Sequence, residues 1–217
     1  MNEELARRIG LIDLVEVGRR FDARGWVPAT SGNFSVRDPE APRGFWITAS
    51  GRHKGRLGAG DFVRIDIGSG EPTERASEGA RPSAETSLHA AVYRHVPDAQ
   101  AVLHVHALAG TLLSRRAAPH ASPDAGAPRR VALPNVEILK AFDRWEPEPN
   151  VGVEVFDNHP SVADIAAEVD ARLARGPLEV PGFLIDSHGL TAWGPSLERA
   201  EYAVEAFEYA FRLTLEL

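Results

Sequence analysis

Residues 101–108 read Ala101-Val102-Leu103-His104-Val105-His106-Ala107-Leu108. A short apolar run after Pro97 predicts a buried strand over 101–106. Successive strand side chains point to opposite faces, so His104 and His106 share one face. Two adjacent imidazoles suit a divalent transition metal, most often zinc, and one more protein ligand completes a catalytic set. By itself the pair also fits two strand histidines satisfied by backbone partners. A third histidine, in Ser187-His188-Gly189, sits at a tight turn from which a side chain projects off the end of a sheet. The three together favour a metal site over the alternative.

The flanking chain alternates helical and strand patterns. Apolar spacing predicts a first helix over 3–24, stopped by Gly25. Strands follow at Asn33–Arg37, Phe45–Thr48 and Asp61–Ile67. Ser83 is placed to cap a helix over Ala84–His95, with Glu85 in its first turn. A short apolar helix near Ala109–Ser114 comes after the histidine strand. The segment Arg115–Arg130, rich in Ala, Pro, Asp and Gly, reads as a loop, and Glu146–Asn150 as a second irregular connection. Ser161 and Ser196 are N-cap candidates for helices over Val162–Leu173 and the C-terminal residues. Strands at Phe183–Asp186 and Leu190–Trp193 enclose His188. This order predicts one layered α/β domain over residues 1–217.

Composition narrows the function classes. The 217 residues are 43% hydrophobic and 25% charged, an ordinary globular balance. With 24 Lys+Arg against 31 Asp+Glu the net charge is −7, which argues against nucleic acid and membrane surfaces as partners. The sequence has no cysteine, so thiolate ligands and disulfides are excluded, as suits a reducing cytosol. No apolar stretch approaches the ~20 residues of a membrane span, and Met1-Asn2-Glu3-Glu4 lacks the basic start of a secretory signal. A cytoplasmic protein is expected.

Two further groups carry chemistry. Thr30-Ser31-Gly32-Asn33, Thr48-Ala49-Ser50-Gly51 and Arg81-Pro82-Ser83 each offer hydroxyls and backbone N–H groups that can cradle a phosphate, to which Lys54 adds a point charge. Singly, each also reads as an ordinary turn or cap. The carboxylates Glu85 and Glu137 are candidates for general acid–base work beside a metal, or are solvated helix residues. His89 and His95 on the predicted helix, with His53, His120 and His159, read as ordinary structural histidines.

These pieces resemble the class II (zinc-dependent) aldolase-like superfamily, which includes the adducin head. The match rests on Ala29-Thr30-Ser31-Gly32-Asn33-Phe34-Ser35, Thr48-Ala49-Ser50-Gly51, Pro82-Ser83-Ala84-Glu85, residues 101–106 and His188-Gly189. Ile47–Leu57, Glu137–Phe142 and Pro181–Ile185, with Trp193-Gly194, are similar to the bacterial methylthioribulose 1-phosphate dehydratase group within it. The resemblance implies a three-layer α/β/α domain and one Zn2+ per subunit on His104, His106 and His188. A sugar phosphate is expected on loops matching Gly32, Asn33, Ser50, Gly51 and Ser83, in a homotetramer with sites near subunit interfaces. It carries the general acid–base role to Glu137. Aldolases of the superfamily rely on a glutamate matching Glu85 and on a tyrosine near position 137, whereas Tyr93, Tyr202 and Tyr209 all fall on predicted helices.

The implied reaction is dehydration of a 5-methylthioribulose 1-phosphate to the 2,3-diketo-5-methylthiopentyl 1-phosphate in methionine salvage. Phe142 and Trp145 are candidates for the methylthio group. The alternatives are a sugar-phosphate aldolase or pentose phosphate epimerase on the same scaffold, and a non-catalytic interaction module, which would be expected to lose the histidines.

Overall fold

Ala101–Val105 is the middle strand of a nine-stranded sheet in the computed structural model, which describes residues 5, 10–117, 129–144 and 150–216. In chain order the elements are α1 (Leu11–Ala23), β1 (Asn33–Arg37), β2 (Gly44–Thr48), β3 (Phe62–Asp66), β4 (Pro72–Arg75) and α2 (Thr86–His95). They continue with β5 (Ala101–Val105), α3 (Leu108–Arg116), β6 (Arg129–Ala132), β7 (Gly152–Phe156), α4 (Val162–Leu173), β8 (Gly182–Ile185), β9 (Gly189–Gly194) and α5 (Leu197–Glu216). The strand order is β4-β3-β2-β1-β5-β9-β8-β7-β6, with β7–β8 the one parallel pair among the described residues.

Strand alternation splits the interior into two cores. On one face Phe34, Val36, Leu103 and Val105 pack with Leu14 and Phe21 of α1, Leu113 of α3 and Val204 and Phe207 of α5. On the other, Phe45, Ile47, Val63, Ile65, Val102 and Phe183 meet Leu88 and Val92 of α2 and Ile165 and Val169 of α4. The expected three-layer α/β/α arrangement is therefore present, built on a mainly antiparallel sheet. Each fully buried Leu, Ile or Phe stabilises the fold by about 1.5–3 kcal/mol relative to exposure. Among the described residues no helix is long and apolar enough to cross a membrane.

Several expected boundaries shift. Helix α2 begins at Thr86 rather than Ala84, and Ser83 does not cap it. The Ser83 hydroxyl accepts from the Glu85 N–H at 3.3 Å, and its carbonyl takes the Thr86 N–H at 3.2 Å. Glu85 is left in a non-helical conformation just ahead of the helix, with φ −94° and ψ 14°. Ser161 occupies the N-cap position of α4 without a side-chain cap bond, while the Ser196 hydroxyl accepts from the Arg199 N–H at 3.1 Å as expected. The first helix is described from Leu11. The expected loop Arg115–Arg130 is shorter: Arg115 and Arg116 end α3, Arg129 and Arg130 open β6, and 118–128 lie outside the described residues. Residues 145–149, with Trp145 and most of the second irregular connection, lie outside them too.

Candidate metal centre and its surroundings

Three loops at one end of the central strands converge on the histidines. β5 pairs with β1 and β9, and Asn33 and Thr191 are the cross-strand neighbours of His104. His104 is on the α2 side of the sheet, the side Asn33 and Ser35 also face. Its Nδ1 lies 3.0 Å from Thr191 Oγ1, which turns Nε2 toward the cluster. His106 follows the strand end and is held there by its N–H to Trp26 O at 2.9 Å.

His188 is set by the β8–β9 turn. Ser187 takes a left-handed conformation, φ 54°, and its N–H is bound by Ser114 Oγ at 3.0 Å. The His188 carbonyl accepts from the Thr111 hydroxyl at 3.1 Å, so α3 straps the turn from both sides. Gly189 is required next, since a Cβ there would lie 2.2 Å from Val105 O. The three imidazole centroids are 4.6 to 5.0 Å apart.

Glu85 joins them from the position just ahead of α2. Its Oε1 lies 3.0 Å from His188 Nε2 and 3.4 Å from His104 Nε2, and His104 Nε2 lies 3.0 Å from His106 Nε2. Among the described residues these four present ligand atoms all within 4.8 Å of one another. Burial lowers the His104 imidazole to about 4, against the attraction of Glu85 and with His188 adding to it. Burial, then His104 and His188, lowers His106 to about 3. Both are therefore neutral near pH 7, the form that ligates a metal. Burial alone would raise the Glu85 carboxyl, but His104, His188 and the Asn33 amide outweigh it and hold it well below the usual carboxylate range.

The donor set fits a divalent cation. Neutral imidazole nitrogens 3.0 Å apart, with a carboxylate beside them, crowd four potential ligand groups around one point. Glu85 Oε1 is buried without a hydrogen-bond partner of its own. A cation among these atoms would resolve both conditions.

The candidate phosphate loops meet beside this cluster. The bridge between Ala49 and Pro82, and the Ser50 N–H to Arg81 O at 2.8 Å, bring Ser50 and Gly51 next to Ser83. Gly32 has φ +73°, and a Cβ on it would lie 2.7 Å from His104 O and 2.8 Å from Val27. Two predicted phosphate residues turn inward instead. Asn33 is buried, donating from Nδ2 to Glu85 Oε2. Lys54 is buried with Nζ on Thr30 O at 2.7 Å and Arg52 O at 2.6 Å, and burial lowers it to about 8 against the attraction of Glu85.

Glu137 stands apart. It opens a 3-10 turn over Glu137–Phe142, its side chain is 82% exposed, and its carboxylate pairs with Lys140 of the same turn. It is not one of the four clustered residues. It borders a shallow hollow of about 380 Å³ with Val136, Ile138 and Tyr209. Phe142 is buried against Phe207, ring centroids 4.4 Å apart. Another hollow, of about 370 Å³ beside Phe142, Trp193 and Arg199, lies at the opposite end of β5 and β9 from the histidines. Sequence reading passed over His89, buried between Asn33 and Ser35. Its place one helical turn after Glu85 was the available signal.

Comparison with known proteins agrees with this geometry. The model of the class II aldolase and adducin N-terminal domain family matches residues 12–215. A methylthioribulose-1-phosphate dehydratase of Microcystis aeruginosa is 42% identical over 93% of this chain and 92% of its own length. The structure of L-fuculose-1-phosphate aldolase from Thermus thermophilus superposes with a TM-score of 0.69 at 27% identity, covering 94% of this chain and 91% of its own. YgbL of Escherichia coli, at 23% identity, shares the fold with a TM-score of 0.74 over 94% of this chain and 87% of its own. With its three layers and its histidine cluster, the chain belongs to the class II aldolase and adducin N-terminal domain family, and methylthioribulose-1-phosphate dehydratases stand among its relatives.

Proposed function

We propose that the chain is a single-domain, zinc-dependent lyase of the cytoplasm that dehydrates 5-methylthioribulose 1-phosphate to 2,3-diketo-5-methylthiopentyl 1-phosphate. The observation that carries this reading is the His104–His106–His188–Glu85 cluster, in a chain 42% identical to a methylthioribulose-1-phosphate dehydratase over nearly its whole length. His104, His106 and His188 would hold zinc, which supplies Lewis-acid polarisation of a ketose carbonyl when bound.

The remaining work falls to the chain's own groups. The hydroxyls of Ser50 and Ser83, with the backbone N–H groups of Gly32 and Gly51, bind the phosphate, and Asn33 and Lys54 fix the shape of those loops from beneath. Anchoring the phosphate away from the reacting carbons orients C3 and C4 and lowers the barrier through remote binding. Glu85, ionised beside the histidines, accepts a hydrogen bond from a substrate hydroxyl and orients it. Glu137 takes the proton from C3 and returns it to the hydroxyl leaving C4, which departs as water. The resulting enol becomes the C3 ketone when C4 gains a proton. Glu137 is exposed and outside its own chain's cluster, which suits a homotetramer in which the site is completed between copies.

The test is turnover by the purified, zinc-loaded protein of methylthioribulose 1-phosphate against fuculose 1-phosphate. Loss of water from the first, with no cleavage of the second, is expected. Retro-aldol cleavage of fuculose 1-phosphate with the first substrate untouched overturns the reading.

A further inference from the structure

A buried file of polar side chains leads away from the cluster. Tyr93 OH lies 2.9 Å from Ser35 Oγ, Ser35 Oγ 2.7 Å from His89 Nδ1, and His89 Nε2 2.6 Å from Asn33 Oδ1. Asn33 Nδ2 then donates to Glu85 Oε2, and the other carboxylate oxygen faces the histidines. All five side chains are buried. They come from two stripes: Glu85, just ahead of α2, with His89 and Tyr93 at four-residue spacing within it, and Asn33 and Ser35 at two-residue spacing on β1. Apolar residues at these positions would close the core without the cost of burying polar groups.

The proton order along the file is determined by its end. A carboxylate only accepts, so the Asn33 amide must present Nδ2 to Glu85 and Oδ1 to His89. His89 must then carry its proton on Nε2, leaving Nδ1 to accept from the Ser35 hydroxyl. That hydroxyl has two other acceptors in reach, Tyr93 OH at 2.9 Å and Val102 O at 3.5 Å, but Nδ1 at 2.7 Å is nearer than either and has no other donor once Nε2 carries the ring proton. Ser35 Oγ in turn accepts from Tyr93. Every bond points the same way, and such a chain strengthens each of its members.

We infer that His89 is a positioning residue: as the Nε2–H tautomer it locks the Asn33 amide in one orientation, and so aims Glu85 Oε1 at the histidine cluster. Tyr93 and Ser35 fix the tautomer. The role of Glu85 toward substrate rests on the function proposed above; the order of the file does not.

Two measurements test this. Nitrogen-15 NMR of histidine-labelled protein should show His89 protonated at Nε2 with Nδ1 bare. An Nδ1–H tautomer overturns the relay whatever substrate the enzyme takes, so this readout also separates its failure from failure of the functional assignment. The second is a double-mutant cycle. His89→Leu should lower kcat about tenfold or more with KM changed less than about threefold, and should cost less than about threefold in a Glu85→Gln background. His89→Gln, whose amide still donates to Asn33 Oδ1, should recover part of the loss. A kcat within about threefold of wild type for His89→Leu, or the same tenfold loss repeated without Glu85, overturns the inference. If His89→Leu does not fold, Ser35→Ala removes the donor to Nδ1 while leaving His89 and Asn33 in place. It should lower kcat about threefold with the same dependence on Glu85, and an unchanged kcat overturns the inference.

Discussion

Glu85 and Glu208 are two buried glutamates on opposite faces of one sheet, 7% and 2% exposed, and their charge states diverge. Glu85 is surrounded by His104, His188 and the Asn33 amide, and these overcome the burial that would raise its carboxyl. Glu208, in the apolar packing of α5 against α3, accepts one long bond from the Gly110 N–H at 3.3 Å. Burial raises it to about 7, opposed by that bond and by Arg212. Burial is common to both, so the partners decide which carboxylate stays charged. A charged carboxylate inside the protein therefore marks the place where the fold has concentrated partners that favour the ionised form.

Removing the partners is the harshest way to break this contrast. His106→Ala should abolish stoichiometric zinc, read by metal analysis of the dialysed protein, and with it turnover of methylthioribulose 1-phosphate by about a thousandfold or more. Glu137→Gln, changing an exposed acid with no buried partner at all, should cost about a hundredfold in kcat while zinc stays bound. Survival of turnover within a few fold would transfer the acid–base role elsewhere. Glu85→Gln keeps the shape of the site but removes its charge, and a fall of about ten- to a hundredfold in kcat is expected from steady-state kinetics.

The smallest effect sharpens the other side of the comparison. A folded-state value of about 7 against an ordinary 4.5 means that Glu208 must be ionised at a cost above pH 7. That cost is complete above the folded value and disappears as pH falls toward 4.5. Glu208→Gln should therefore raise unfolding stability by up to about 3 kcal/mol at pH 8 and by little at pH 5. Denaturant unfolding at the two pH values measures it, and activity should stay within about twofold.

Much of this is legible in the sequence, and the exceptions have identifiable causes. Val162–Leu173 and Asn33–Arg37 carry clean helical and alternating periods and fold over those same residues. Three strands escape a reading of periodicity. Pro72–Arg75 is an exposed edge without an apolar face, and Arg129–Ala132 is a four-residue edge after an Ala/Pro-rich segment. Gly152–Phe156 does alternate at Val153 and Val155 but follows a proline pair that masks it. The histidines are legible because a metal site needs a particular residue type, and two of them share the motif His104-Val105-His106. Asn33, Ser35 and His89 are not, because their meaning lies in contacts between residues 52 to 58 positions apart. Lys54 reads as a free cation for an anion, whereas its two carbonyl partners emerge only once the loops meet.

Gly32 has a consequence for how this protein can be altered. Its missing side chain lets the 30–33 loop rest directly on the backbone of the strand that carries His104. Loop and ligand strand are thus a single mechanical part. Substitutions meant to retune one will be inherited by the other, so a change of anion preference is best sought at the Ser50 and Ser83 loops, which meet each other through the Ala49–Pro82 bridge.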